Sequence, residues 1–132
     1  GIASRGLGDV YKRQLKPSAL SFDETGSYLA TGGSEEVTVW SFKGNGPEGT
    51  SPLSLKLHKK PITTLAFAHR GMNLASGSRD GAVVLWDLKS ENEESGLSET
   101  SVSDSVSKLY WRPDDKALAG LDRQGGVTVW HV

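Results

Sequence analysis

Three stretches of this 132-residue chain repeat one another, and that repeat limits what the chain can fold into. They read LSFDETGSYLATGGSEEVTVW from Leu20, LAFAHRGMNLASGSRDGAVVLW from Leu65 and LYWRPDDKALAGLDRQGGVTVW from Leu109. Each carries an aromatic residue (Phe22, Phe67, Trp111), an alanine eight positions later (Ala30, Ala75, Ala119) and a closing tryptophan (Trp40, Trp86, Trp130). The tryptophans lie 46 and 44 residues apart; the first unit is one residue shorter in its second turn. A period of this size marks a supersecondary unit that cannot bury its own apolar residues and becomes stable by stacking on its copies.

Within a unit the local pattern is β. ITTLAF and AVVLW are short runs rich in β-branched and aromatic residues. ETGS, HRGM and RPDDKA carry turn chemistry, and SRDGA reads as a hairpin turn whose Asp-Gly pair supplies a positive φ. Val83, Val84, Leu85 and Trp86 are apolar at consecutive positions. A strand with one wet face would alternate, so both faces of these sheets are expected to be covered. Helical periodicity is absent. Small four-stranded sheets repeating about every 40–45 residues and covered on both faces describe the blades of a β-propeller.

At this point the units resemble WD repeats, from Leu15 to Val132. LASGSRDGAVVLWDL is close to the family pattern, and LHKKPITTLAF places His58 four residues before Ile62, as the family does. The family's glycine before that histidine is Leu57 here. The resemblance implies an all-β fold, a partial WD-repeat β-propeller of about three four-stranded antiparallel blades. The blades are expected at residues 15–57, 58–102 and 103–132, the last lacking its outermost strand. It also implies a hydrogen-bonded tetrad of His58, Ser76, Asp80 and Trp86. The residue types suit a relay: Trp only donates, Ser and neutral His do both, and ionised Asp only accepts. In the third unit Val102 and Gln124 stand at the His58 and Asp80 positions. In the first, the histidine position falls in the amino end, and Glu35 or Glu36 is the candidate for the aspartate.

Ser, His and Asp together also suggest a hydrolytic triad. No G-x-S-x-G elbow surrounds Ser76, and a tryptophan at fixed spacing has no task in a triad, so the structural reading outweighs the catalytic one. Other candidates have plainer readings. GNGPEGTSP (Gly44–Pro52) is a connection without the lysine and helix of a phosphate cradle. The acidic, serine-rich stretch Lys89–Ser105 reads as a mobile loop around a weak outer strand, or as a regulatory insert. His58-Lys59-Lys60 reads as solvated surface, and Asp114-Asp115 as part of a turn. His69 and His131 have no partners at metal-ligand spacing.

Fifteen basic and 16 acidic side chains give a net charge of −1, which supplies no attraction to nucleic acid or an anionic membrane. Without cysteine there are no disulfides, zinc–cysteine sites or thiol catalysis. No apolar run approaches the roughly 18 residues of a membrane span. DVYKRQ (Asp9–Gln14) matches the translation of a transposase mosaic-end sequencing adapter, GAT GTG TAT AAG AGA CAG. Residues 1–14 are therefore expected to be adapter read-through, the alternative being a basic flexible arm. With Met72 as its only methionine, the chain is expected to be a piece of a longer protein. The expected function is non-enzymatic: a scaffold binding a protein or peptide, with no cofactor, no metal, no nucleic acid and no membrane, in the cytoplasm by default. The alternative is the propeller-bearing part of an enzyme whose catalytic residues lie elsewhere.

Overall fold

The computed structural model describes residues 18–43, 52–88 and 96–132, with 96 and 97 described by backbone alone. Residues 1–14 lie outside these, as do most of the Gly44–Pro52 connection and residues 89–95 of the acidic stretch. The described residues form strands and turns, with no helix among them.

The first sheet runs β1 (Ala19–Phe22), β2 (Tyr28–Gly32), β3 (Glu36–Ser41) and β4 (Leu53–Lys56), side by side in chain order. The second repeats it with β5 (Ile62–Phe67), β6 (Asn73–Ser78), β7 (Ala82–Asp87) and β8 (Gly96–Ser101). The third has β9 (Val106–Trp111), β10 (Ala117–Asp122) and β11 (Val127–His131). All pairings are antiparallel, and the registers repeat: Trp40 opposes Leu29, Trp86 opposes Leu74, and Trp130 opposes Leu118. The serine-rich stretch thus contributes a full outer strand, β8, whose Ser98–Ser101 side chains are exposed.

The sheets stack face to face. Ala30, Val37, Val39 and Leu55 of the first meet Ile62, Leu65, Phe67, Leu74 and Trp86 of the second. Ala75, Val83 and Leu85 on the second sheet's other face meet Val106, Leu109, Trp111 and Leu118 of the third. The same joint locks both interfaces: Ser18 Oγ donates to Ile62 O at 2.9 Å, and Thr63 Oγ1 donates to Val106 O at 2.6 Å. Gly32 and Gly77 make room for it. A Cβ on Gly32 would lie 2.8 Å from Ile62 Cγ2, and one on Gly77 2.5 Å from Val106 Cγ1.

The middle sheet is covered on both faces, so Val83–Trp86 are all buried, as their unbroken apolar run anticipates. In β11 the similar sequence VTVW alternates between exposed and half-buried. Its far face is bare, with Val127 68% and Val129 56% exposed beside Tyr110 on β9. Leu20 and Phe22 are exposed on the first sheet. Such faces drive association. The double variant Val127→Lys/Val129→Glu should therefore lower the mass of the isolated chain in size-exclusion chromatography with light scattering. A wild-type chain already monomeric at every concentration would contradict this.

Candidate functional site

The residues singled out by the resemblance converge on the middle sheet. Ser76 lies in mid-β6, and the Trp86 side chain reaches it from β7. The indole N–H donates to Ser76 Oγ at 2.8 Å. His58, in the segment leading into β5, brings Nε2 to 2.6 Å from the same oxygen. Ser76 and Trp86 are wholly buried and His58 nearly so. Burial pushes the His58 pKa down to about 4, against the opposing influence of the Asp80 charge. The ring is therefore neutral near pH 7, and its Nδ1 is buried with no hydrogen-bond partner among the described residues.

Asp80 departs from the expected relay, which ends at the histidine. Its carboxylate accepts instead from Ser78 Oγ and from the Ala82 amide at 3.2 Å. The Ser78 bond is the largest influence holding its pKa below the ordinary aspartate value. The cause is local. Asp80 sits in the β6–β7 turn with Gly81 at φ 89°, where a hydroxyl two residues back and an amide two residues on are nearer partners than a ring in another segment. Asp80 thus holds a turn, and reaches His58 only through its field.

Sequence reasoning missed the counterpart of this bond in the first sheet. Trp40 Nε1 donates to Thr31 Oγ1 at 3.2 Å, Thr31 standing where Ser76 stands. The signal was present: Thr31 precedes Trp40 by nine residues and Ser76 precedes Trp86 by ten, the difference being the shorter turn. In the third sheet the position is Gly120, and the Trp130 ring lies against it; a Cβ there would come within 2.8 Å of the ring. The adjoining turn is rebuilt as well. Asp122 at the strand end accepts from the amides of Gln124 (2.8 Å) and Gly126 (2.9 Å), replacing the Ser78–Asp80 pair. Gln124 Nε2 instead reaches Asp104 at 2.7 Å.

Asp115 does more than fill its turn. At φ 59° it stands where the earlier units have Gly26 and Gly71. Its carboxylate crosses to the second sheet, accepting from the amides of His69 (2.9 Å) and Arg70 (2.8 Å), with His69 Nδ1 also 2.9 Å away.

With this geometry in view, comparison with known proteins is informative. Residues 49–87 match the family model for the WD domain, G-beta repeat. The β-propeller domain of Cps50 (Swd1) from Myceliophteria thermophila superposes with a TM-score of 0.77 at 22% identity, over 92% of this chain and 36% of that one. Residues 49–87 are thus a WD repeat, and the described strands have part of a propeller fold. Sqt1 of Chaetomium thermophilum, solved with the N-terminus of ribosomal protein L10, gives a TM-score of 0.73 at 20% identity, over 87% of this chain and 31% of that one. In sequence, the Protein LST8 homolog of Drosophila melanogaster is 27% identical over 120 residues, 90% of this chain and 37% of the relative. The chain spans about a third of the length of these relatives.

The network makes graded expectations for stability. Ser76→Ala strands a buried indole N–H and a buried imidazole nitrogen, and should cost about 2–4 kcal/mol in urea unfolding. Thr31→Val, beside the half-exposed Trp40, should cost about 1 kcal/mol or less, and Asp80→Ala about 1 kcal/mol. Equal losses at Ser76 and Thr31 would contradict this ordering.

His58 also sets a pH dependence. Its folded pKa of about 4 lies below the ordinary 6.5, so between these values the unfolded chain binds a proton that the folded chain does not. Stability is full above pH 6.5 and falls as the pH drops toward 4, by roughly 2–3 kcal/mol. Asp23, Asp80, Asp114 and Asp115, all with lowered pKa values, act below this window. Urea midpoints of His58→Asn should be flat from pH 6.5 to 4.5, where wild type slopes; parallel curves would contradict the assignment.

Proposed function

We propose that the chain is a non-enzymatic interaction scaffold: a rigid stack of blades whose rims and turns bind a protein or peptide. The observation carrying this reading is the state of its one Ser–His pair joined by a hydrogen bond among the described residues. Ser76 Oγ is within reach of a histidine nitrogen, as a nucleophile would be, but it is fully buried and already receives the Trp86 N–H. Asp80 does not orient the ring, so the orienting third group of a triad is missing from this arrangement. The pair is spent on joining β6, β7 and the entry to β5.

The likeness to WD-repeat proteins supports the same reading, Sqt1 being one solved with a bound ribosomal-protein segment. Rigid sheets that hold turns of varied sequence suit recognition, because the framework is ordered before the partner arrives. Panning the full chain against a phage-displayed peptide library should enrich a recurrent motif that binds saturably in solution. A fluorophosphonate probe should leave Ser76 unmodified by mass spectrometry. A library without binders would count against the scaffold, and an adduct on Ser76 Oγ would reinstate a hydrolase.

A further inference from the structure

Antiparallel topology puts the β1–β2 and β5–β6 turns and the ends of β3 and β7 on one rim of the stack. There the first and second sheets part to leave a groove of about 880 Å³. Its apolar surface comes from Val39, Leu53, Met72 and Leu88, with Tyr28 beside them. Its charged groups are Asp23, Glu24 and Lys43. The volume falls within the roughly 300–1,000 Å³ of sites that enclose small ligands, room for more than one side chain of a partner.

The rim is already organised. Asp23 Oδ1 accepts the Tyr28 amide at 2.9 Å, and Oδ2 accepts the Thr25 hydroxyl at 2.7 Å. All of these donors are neutral, so the carboxylate charge is held in place and left unneutralised by them. The Met72 carbonyl accepts the Leu88 amide at 3.0 Å, and Ser27 O accepts the Phe42 amide at 2.7 Å. The Lys43 ammonium lies 5.2 Å from the centre of the Tyr28 ring, engaged with its π face. Glu24 is exposed at the mouth. The groove therefore presents an apolar floor, two carboxylates and a cation that is already engaged.

We propose that this groove binds an extended peptide segment of a partner protein, with a bulky apolar side chain on the Leu53–Met72–Leu88 floor and an adjacent arginine or lysine facing Glu24 and Asp23. The assignment rests on the scaffold reading and gives it a location and a chemistry. The positions concerned do not repeat: Glu24 corresponds to His69 and Pro113, and Met72 to Ser27 and Lys116. The framework positions recur from unit to unit, whereas the groove is particular to this pair of blades.

The test uses the full chain and fluorescein-labelled Gly/Ser decapeptides with a central Leu-Arg, Leu-Glu or Ser-Arg pair, read by fluorescence polarisation. The Leu-Arg peptide should bind best, and less tightly as salt is raised. Glu24→Lys, at an exposed position that should leave the urea midpoint unchanged, should weaken it about five-fold. Met72→Ala should weaken it about ten-fold, and Arg79→Glu on the opposite rim should leave it unchanged. Equal binding of Leu-Glu and Leu-Arg, no binding of any peptide, or indifference to Glu24→Lys would overturn the groove. Library-selected peptides that bind Glu24→Lys and Met72→Ala as tightly as wild type would overturn the groove alone and leave the scaffold standing.

Discussion

The structure depends on sheets covering one another. Each unit has apolar side chains on both faces, and no single sheet of three or four strands can shelter both. Burying one tryptophan removes about 200 Å² from water, worth at most about 5 kcal/mol. A hydrogen bond such as that from Ser18 to Ile62 O contributes about 1 kcal/mol net. Packing therefore supplies most of the stabilisation, and the repeated hydroxyl-to-carbonyl joints fix how one blade sits on the next. Trp86, between two neighbours, is fully buried, whereas Trp40 and Trp130 in the end sheets are only partly so, although all three hold the same register.

Inside that apolar stack the cluster around Ser76 is costly if incomplete. Taking a hydroxyl, an indole N–H and an imidazole out of water without partners costs more than their bonds return, which favours keeping or losing the group together. The three units differ in how much of the group they keep, and the surroundings change with it. The middle unit has serine, histidine and tryptophan; the first keeps hydroxyl and tryptophan at a less buried site; the third deletes the hydroxyl and packs its ring on Gly120. The neighbouring turns change as units too, with Ser78 and Asp80 on one side and Asp122 and Gln124 on the other.

The strands, their turns and the burial of both faces of the middle sheet were legible because they follow from periodic apolar residues and turn chemistry, both local signals. Three of the proposed tetrad residues meet, since Trp86 and Ser76 lie on paired strands and His58 enters the strand beside them. The Asp80 partner was not legible. Whether a turn carboxylate reaches a distant ring or a nearby hydroxyl depends on Ser78, two residues away, and spacing alone weighs both choices equally. Asp115 was read as a turn residue, but its link to His69 and Arg70 exists only once the third sheet lies on the second. The groove was hidden for the same reason: Glu24 and Met72 are 48 positions apart and share a site only through stacking.

This separation of roles has a consequence for reading such chains. Positions that recur between units, such as the paired glycines Gly32 and Gly77 or the hydroxyls of Ser18 and Thr63, are fixed by contact with the next blade, so they report architecture. Under the scaffold reading, recognition falls where the stack tolerates change, at rim turns whose side chains do not enter the inter-blade core. Asp23 and Glu24 illustrate the boundary within one turn. The first is buried and held in place by neutral donors of Thr25 and Tyr28, so that it shapes the rim and lends it charge, while the second is exposed and, under the proposed reading, within direct reach of a partner. A chain built by repetition therefore acquires specificity through departures from its own repeat, and the departures that matter are those that neighbouring blades bring to the same edge.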